Sequence, residues 1–363
     1  MSEPRTLMIM AGGTGGHVFP GLALAEALSA HSESHVRVVW LGTEGGMEAK
    51  WVQQAGIPFY PVRIQGLRGK GLLGWLKAPW RVLKAMWQSA AVIRQTRPDL
   101  ILGMGGFVCG PGGLAARLLR RPLWLHEQNA IMGLTNRWLS PLAETVICAF
   151  EQAAEGRRNA QVLGNPVRSG LEALPTVAHS QVGHVLVMGG SRGAKAINEL
   201  VPQALAKLPP GQRPTVRHQT GQALLDTTRQ AYQKAGVKAE VVAFIDDMVA
   251  AYRQADLVIA RSGALTVSEL MSAARPAILI PFPFAVDDHQ TANAQALVAI
   301  GGGEVRQQAD LTAEQLAERL QHWLAPEQAR QASEALRASA PKQVTQAITE
   351  RILTRLENTK EQR

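Results

Sequence analysis

Twice in this chain an apolar run opens directly onto a glycine-rich turn and then a helical pattern. The first begins at Leu7-Met8-Ile9-Met10-Ala11, passes through "GGTGGH" (12–17), and continues with Leu22, Ala25 and Leu28 at helical spacing. The second begins at "HVLVM" (184–188) and passes through "GGSRGAK" (189–195). A strand, a glycine turn and a helix in that order open a βα unit. Such a turn aims backbone N–H groups and the positive end of a helix at one spot, which favours an anion, commonly a phosphate. A tight βα turn without a ligand is the plainer explanation. Four glycines, a threonine and a histidine exceed what it requires.

Apolar runs alternate with helical patterns along the rest of the chain. Further strands are expected at Val36–Gly42, Asp99–Gly103, Leu123–His126, Thr145–Ala149 and Gln161–Leu163, and then at Thr215–His218, Glu240–Phe244, Asp256–Ala260, Ala277–Pro281 and Glu304–Arg306. Most run without polar alternation, as parallel strands buried on both faces do. The pattern restarts near residue 184, after the Gly-, Pro- and Ser-rich "GNPVRSGLEALPTVAHSQVG". The fold class expected is therefore α/β, with two doubly wound domains, residues 1–165 and 166–340, facing across a cleft. A last helix within 341–363 carries Val344, Ile348, Ile352 and Leu356 as one stripe and is expected to pack back on the first domain.

At 363 residues the chain can bury two cores. Cys109 and Cys148 rule out a disulfide scaffold and read as small apolar residues rather than nucleophiles. The apolar start is too short for a signal peptide, and no run of apolar residues is long enough to span a membrane. Net charge is +9. Residues 49–98 contain no acid, and their basic residues include Arg63, Arg68, Lys70, Lys77, Arg81, Lys84, Arg94 and Arg97. That excess suits an acidic partner: nucleic acid, anionic lipid or a phosphorylated substrate.

The dinucleotide fingerprint fails, because Val18 stands where G-x-G-x-x-G needs glycine, and no Walker A motif occurs. Together with "GMGGFVCGPGG" (103–113) there are three glycine turns over two domains, which suits a substrate with more than one phosphate. "ARSGALTVSEL" (260–270) is a further turn before a helix. Ser262 is expected as its N-cap, and Glu269, in what the spacing makes a first helical turn, either complements the dipole or accepts the hydroxyls of a ribose. "HEQNAIMG" (126–133) clusters polar groups at a strand's carboxyl end. With no Asp-x-Asp or H-E-x-x-H, no metal or other cofactor is expected, and Asp246-Asp247 and Asp287-Asp288 read as turn or cap residues.

The stretch "LLGWLKAPWRVLKAMW" (72–87) sets Leu72, Leu76, Trp80, Leu83 and Trp87 on one helical face. Trp75 and Met86 broaden that face, and Lys77, Arg81 and Lys84 lie beside it. A core helix would show the same stripe. Tryptophans beside basic residues favour an element lying on an anionic membrane surface.

Nine motifs in order, "GGTGGHVFPGLALAEAL", "GLRGKG", "GGFVCGPGG", "HEQNAIMGLTNR", "GNPVR", "GGSRGA", "FIDDM", "RSGALTVSEL" and "DDHQTANA", give the chain a resemblance to the bacterial N-acetylglucosaminyltransferases that complete lipid II. The likeness runs from about residue 5 to about residue 300. It implies the glycosyltransferase B fold, and transfer of N-acetylglucosamine from UDP-N-acetylglucosamine to the C4 hydroxyl of the muramoyl sugar of lipid I, with inversion. It also implies work at the cytoplasmic face of the plasma membrane, where other cell-wall synthesis proteins are potential partners. Donor contacts would fall on Thr14, Gly15, Gly16, Asn129, Arg168, Ser191, Ile245, Ala264, Leu265, Thr266, Val267, Ser268, Glu269 and Gln290. Ile245 would meet uracil, Glu269 the ribose, and Ser191 with the helix from Ala264 the phosphates. Arg192 replaces the family's usual glutamine and can pair with the diphosphate; His289 stands where some relatives carry glutamine.

Single displacement needs a base. His17 is the candidate, with Glu127 as runner-up; a loop anchor is the other role open to His17. Two rivals remain at this stage. One is a UDP-N-acetylglucosamine 2-epimerase of the same fold. The other is a basic nucleic-acid-binding protein, although no nucleic-acid module is recognisable, so no nucleic-acid partner is expected.

Overall fold

The computed structural model describes residues 4–13, 15–31, 36–64, 78–177, 183–190 and 193–358. Thr14, Leu72, Trp75, Leu76, Lys77, Ser191 and Arg192 lie outside the described residues. The chain divides into two units, Met1–Arg168 with Gln343–Arg363, and Ser169–Lys342.

The first unit holds seven strands: β1 (Arg5–Ala11), β2 (Val36–Thr43), β3 (Phe59–Val62), β4 (Leu100–Gly105), β5 (Leu123–Glu127), β6 (Thr145–Cys148) and β7 (Ala160–Val162). All pair in parallel, in the order β3-β2-β1-β4-β5-β6-β7. Along β1, Leu7 and Ile9 enter one apolar cluster while Met8 and Met10 enter another on the opposite face. That two-sided burial is why the strand reads as an unbroken apolar run. The helix Gly15–Ala30 covers the first face with Leu24 and Leu28, beside the last helix, Val344–Asn358. The stripe Val344, Ile348, Ile352 and Leu356 is buried there. Each such side chain contributes about 1.5–3 kcal/mol by leaving water, so the returning helix is held to the first unit by its apolar face.

The second unit holds β8 (His184–Met188), β9 (Thr215–Gln219), β10 (Glu240–Val242), β11 (Leu257–Ala260), β12 (Ala277–Leu279) and β13 (Gly303–Val305). They also pair in parallel, in the order β10-β9-β8-β11-β12-β13. Val185, Val187, Leu257 and Ile259 pack against Ile197 and Val201 of the helix Lys195–Lys207, and against Leu320 and Trp323 of the helix Ala313–Trp323.

Strand β3 is absent from the sequence expectation. It has four residues and carries Pro61, and both features hide a strand. The sheet tolerates Pro61 because β3 is an edge strand, where a missing N–H costs no ladder bond.

Candidate functional site

In each sheet the strand order reverses at one point, between β1 and β4 in the first and between β8 and β11 in the second. Ligands of open parallel sheets bind at the carboxyl ends of the strands flanking such a reversal. All four glycine stretches singled out above span the links from these four strands to the helices that follow: 12–14 after β1, 106–108 after β4, 189–194 after β8 and 261–263 after β11.

In the first unit, Gly15, Gly16 and His17 form the first turn of the helix Gly15–Ala30, whose early N–H groups have no intrahelical acceptor. Glu48, fully buried, accepts from the backbone N–H of Thr43 at 2.8 Å and of Gly13 at 3.4 Å, tying the loop to the end of β2. His17 reaches Gln128, with Nδ1 2.9 Å from Oε1. Gly105 lies beneath the ring: its φ is +109°, and a Cβ there would stand 2.7 Å from Nδ1 of His17. Only glycine satisfies both the backbone angle and the space.

The polar cluster after β5 organises its own loop. Both oxygens of Glu127 are engaged: Oε1 by the backbone N–H and Nδ2 of Asn129 (3.0 and 3.2 Å), Oε2 by the N–H of Gly133 and Nδ2 of Asn136 (3.0 and 2.9 Å). A buried carboxylate accepting four N–H groups holds a loop in shape and has no free lone pair aimed at a substrate. The geometry therefore gives Glu127 a loop-shaping role. Burial lowers the pKa of His126 to about 4, so this ring is neutral, and its Nε2 lies 3.1 Å from the carbonyl oxygen of Gly164. Arg168 is half-buried at the end of this unit. Both cysteine thiols are pushed up by burial, Cys109 to about 12 and Cys148 to about 11, as for inert core residues.

In the second unit, Gly193 adopts φ +75° and presses against the carbonyl of Thr220. That carbonyl accepts from Nδ2 of Asn198 at 3.1 Å, whose Oδ1 faces Nε2 of the buried His218 at 3.1 Å; the phenol of Tyr232 lies 2.9 Å from Nδ1. Burial lowers His218 to about 3, so the ring stays neutral and holds the floor of the glycine loop.

The helix Ala264–Ala273 departs from expectation in two ways. Its N-cap is Gly263, with no side-chain cap bond; Ser262 sits one residue too early. The Ser262 hydroxyl is buried and has no hydrogen-bond partner among the described residues. The helix start therefore has no side-chain cap for its early N–H groups. Glu269 lies in the second helical turn, not the first, so dipole complementarity does not explain it. It is buried and accepts from the Tyr252 hydroxyl at 3.1 Å. Ala264 and Val267 turn into the core, whereas Leu265, Thr266 and Ser268 are half-buried. Ile245 is buried before the helix Met248–Gln254, which Asp247 caps by accepting from the N–H of Ala250 at 2.9 Å. Oε1 of Gln290 accepts from the N–H of Phe282 at 2.9 Å. Sequence reading missed Arg275, whose buried guanidinium donates to the carbonyls of Tyr252 (2.6 Å), Pro175 (2.8 Å) and Ala273 (3.0 Å), anchoring the carboxyl end of the helix that bears Glu269.

The described part of the basic stretch is the helix Ala78–Thr96. Trp80 (75 % exposed), Leu83, Trp87, Arg81 and Lys84 face solvent, while Ala85, Ala90 and Ile93 face the core. Met86 turns partly toward that core and does not broaden the exposed stripe. The helix Cys109–Leu118 packs against the helix Ala78–Thr96, and Leu134–Leu139 packs in turn against Cys109–Leu118; these two expose Leu114, Leu118, Leu134 and Trp138 (75 %) with Arg117 and Arg137. These two helices escaped the sequence reading because each is too short to show a stripe. Among the described residues, no helix is long and apolar enough to cross a membrane, and no three His, Cys, Asp or Glu side chains gather as a metal site.

Comparison with known proteins follows the same division. Residues 7–148 match the glycosyltransferase family 28 N-terminal domain, and residues 184–350 match its C-terminal domain. The UDP-N-acetylglucosamine–N-acetylmuramyl-(pentapeptide) pyrophosphoryl-undecaprenol N-acetylglucosamine transferase of Hydrogenovibrio crunogenus is 62% identical over 350 residues, 96% of this chain and 98% of that one. The protein of the same name from Chromohalobacter salexigens is 53% identical over 90% of both chains. The crystal structure of Acinetobacter baumannii MurG superposes with a TM-score of 0.81 at 37% identity, covering 97% of this chain and all of that one. Identity of this order over nearly the whole length, in two parallel α/β units, means that the chain belongs to the glycosyltransferase family 28 group of UDP-N-acetylglucosamine–N-acetylmuramyl-(pentapeptide) pyrophosphoryl-undecaprenol N-acetylglucosamine transferases.

Proposed function

We propose that this enzyme moves N-acetylglucosamine from UDP-N-acetylglucosamine to the C4 hydroxyl of the muramoyl sugar of lipid I, forming lipid II. The observation that carries the reading is the full-length identity to transferases of that name, on sheets whose reversal points bear the glycine turns. The 2-epimerase and nucleic-acid readings are not favoured, since the relatives at 62% and 53% identity are both named as this transferase.

The donor is read by the second unit. Ile245 meets uracil, Glu269 accepts the ribose hydroxyls, and the uncapped start at Ala264 receives phosphate, with Gln290 and Ser191 completing the set. The resemblance also implies donor contacts at Thr14, Gly15, Gly16, Asn129 and Arg168. The C4 oxygen attacks the anomeric carbon as the bond to UDP breaks; the electron pair leaves with UDP, the configuration inverts, and His17 takes the hydroxyl proton. Helix starts offer roughly 0.3–1 kcal/mol each to the departing diphosphate, and up to about 2 kcal/mol when partly buried. Arg168 and Arg192 add charge.

The acceptor's lipid holds the reaction at the bilayer. The exposed Trp80, Leu83, Trp87, Leu118, Leu134 and Trp138, among Arg81, Lys84, Arg117 and Arg137, support docking of the first unit on the anionic cytoplasmic face of the plasma membrane. The decisive assay incubates the purified enzyme with labelled UDP-N-acetylglucosamine and a short-chain lipid I analogue. Labelled disaccharide-lipid is expected; conversion of the donor to its 2-epimer without transfer overturns the reading.

A further inference from the structure

We infer that Gln128 is a positioning residue that sets the tautomer of His17, holding the ring proton on Nδ1 and leaving the lone pair on Nε2 to accept the acceptor hydroxyl's proton. The inference rests on the reading of His17 as base, and deepens it by naming the reacting atom and the group that selects it.

Gln128 is buried, and its amide can be oriented in only one way. Its Nε2 lies 2.7 Å from the carbonyl oxygen of Met104 and 3.2 Å from that of His126. Carbonyl oxygens only accept, so the NH₂ group occupies that end and Oε1 is the end that meets His17. An amide oxygen has no proton to give. The 2.9 Å contact with Nδ1 of His17 is therefore a hydrogen bond only if Nδ1 carries the proton. A neutral imidazole has one such proton, so Nε2 is the basic nitrogen.

The far side of the amide is locked in the same sense. Nε2 of His126 is 3.1 Å from the carbonyl oxygen of Gly164 and must donate to it. Burial keeps His126 neutral, so its Nδ1 is an acceptor. It sits 3.0 Å from Nε2 of Gln128, which donates to it. The chain of donors thus runs from His17 to Gln128, from Gln128 to His126, and from His126 to Gly164. Reversing any one bond leaves two acceptors or two donors face to face. Gly105 supplies the remaining constraint, since its missing Cβ lets the ring lie where Nδ1 can reach Gln128. The opposite tautomer would place a proton on the nitrogen that must take one, and in a serine hydrolase triad a wrong histidine tautomer lowers turnover about 10⁴-fold.

The test reads the tautomer directly, by ¹⁵N NMR of the ring nitrogens of His17 in the whole enzyme, assigned by its loss in His17→Ala. A protonated Nδ1 in the neutral ring is expected; a protonated Nε2 overturns the inference, whatever the kinetics. Gln128→Met keeps the side chain's length and removes the acceptor. The protonated Nε2 form is then expected to appear, with kcat lowered roughly ten- to a hundredfold, inside the range a positioned base supplies, and donor KM within twofold. An unaltered tautomer in the folded variant, or a loss confined to KM, overturns the role of Gln128. A His17→Ala enzyme with unchanged kcat, beside an Nδ1-protonated wild-type ring, overturns the base reading instead.

Discussion

The hydroxyl of Tyr252 donates to Oε2 of Glu269 across 3.1 Å, and both side chains are buried. The bond joins the helix Met248–Gln254 to the helix Ala264–Ala273. Arg275 reinforces the link by donating to the Tyr252 carbonyl at 2.6 Å. The carboxylate proposed to accept the ribose is therefore aimed by a neighbouring helix rather than by its own.

Removing the carboxylate and removing its support should differ in degree. Glu269→Ala loses a charged hydrogen bond to ribose, a cost of about 1.5–3 kcal/mol that appears as a higher donor KM. Tyr252→Phe keeps the carboxylate but frees its orientation, so donor KM should rise several-fold with kcat nearly constant. Because the two act through one contact, the double variant should resemble Glu269→Ala alone. Steady-state kinetics with UDP-N-acetylglucosamine check all three. A donor KM untouched by Glu269→Ala removes that residue from the ribose role.

His17→Ala should reduce kcat by about 10²–10⁴, the usual contribution of a positioned base. UDP affinity, measured by calorimetry, should change far less. A fall in affinity in proportion to rate makes His17 an anchor of the glycine loop.

Vesicle binding should follow the exposed stripe. Each Lys or Arg near an anionic leaflet is worth about 1 kcal/mol. Arg81→Glu with Lys84→Glu and Arg137→Glu should therefore abolish co-sedimentation with anionic vesicles, yet leave turnover of a soluble acceptor unchanged, because all three side chains face solvent. Trp80→Ser with Trp138→Ser should weaken binding even at high salt, where charge is screened. Sedimentation that survives both sets of changes assigns these helices no membrane role.

Acid should destabilise the fold through its buried histidines. Burial holds His218 down to about 3 and His126 to about 4. Above pH of about 6.5 neither form is charged and neither ring affects stability. Below it the unfolded chain binds a proton that the folded chain refuses, so stability falls by about 1.4 kcal/mol per pH unit for each ring. Between pH 7 and pH 5 that amounts to about 2 kcal/mol per histidine. His218→Gln should lose its share of this dependence, seen as a smaller shift in denaturant midpoint over that interval.

The elements and their order were legible in the sequence because burial on both sides of a parallel strand leaves a continuous apolar run, as in Leu7–Ala11 and His184–Met188. The glycine turns were legible because positive φ and close backbone approach admit little else. The family resemblance named the donor set. Tertiary structure decided what periodicity cannot carry. Strand order brought the four turns to two reversal points. Glu269 took its partner from another helix, Ser262 gave up the cap to Gly263, and Glu127 was consumed by its own loop. The exposed apolar residues of the helices Ala78–Thr96, Cys109–Leu118 and Leu134–Leu139 came onto successively packed helices only through the fold. A sequence records which side chains prefer water or apolar surroundings. Which nitrogen of His17 holds a proton depends on a residue 111 positions away, and only folding brings the two within 2.9 Å.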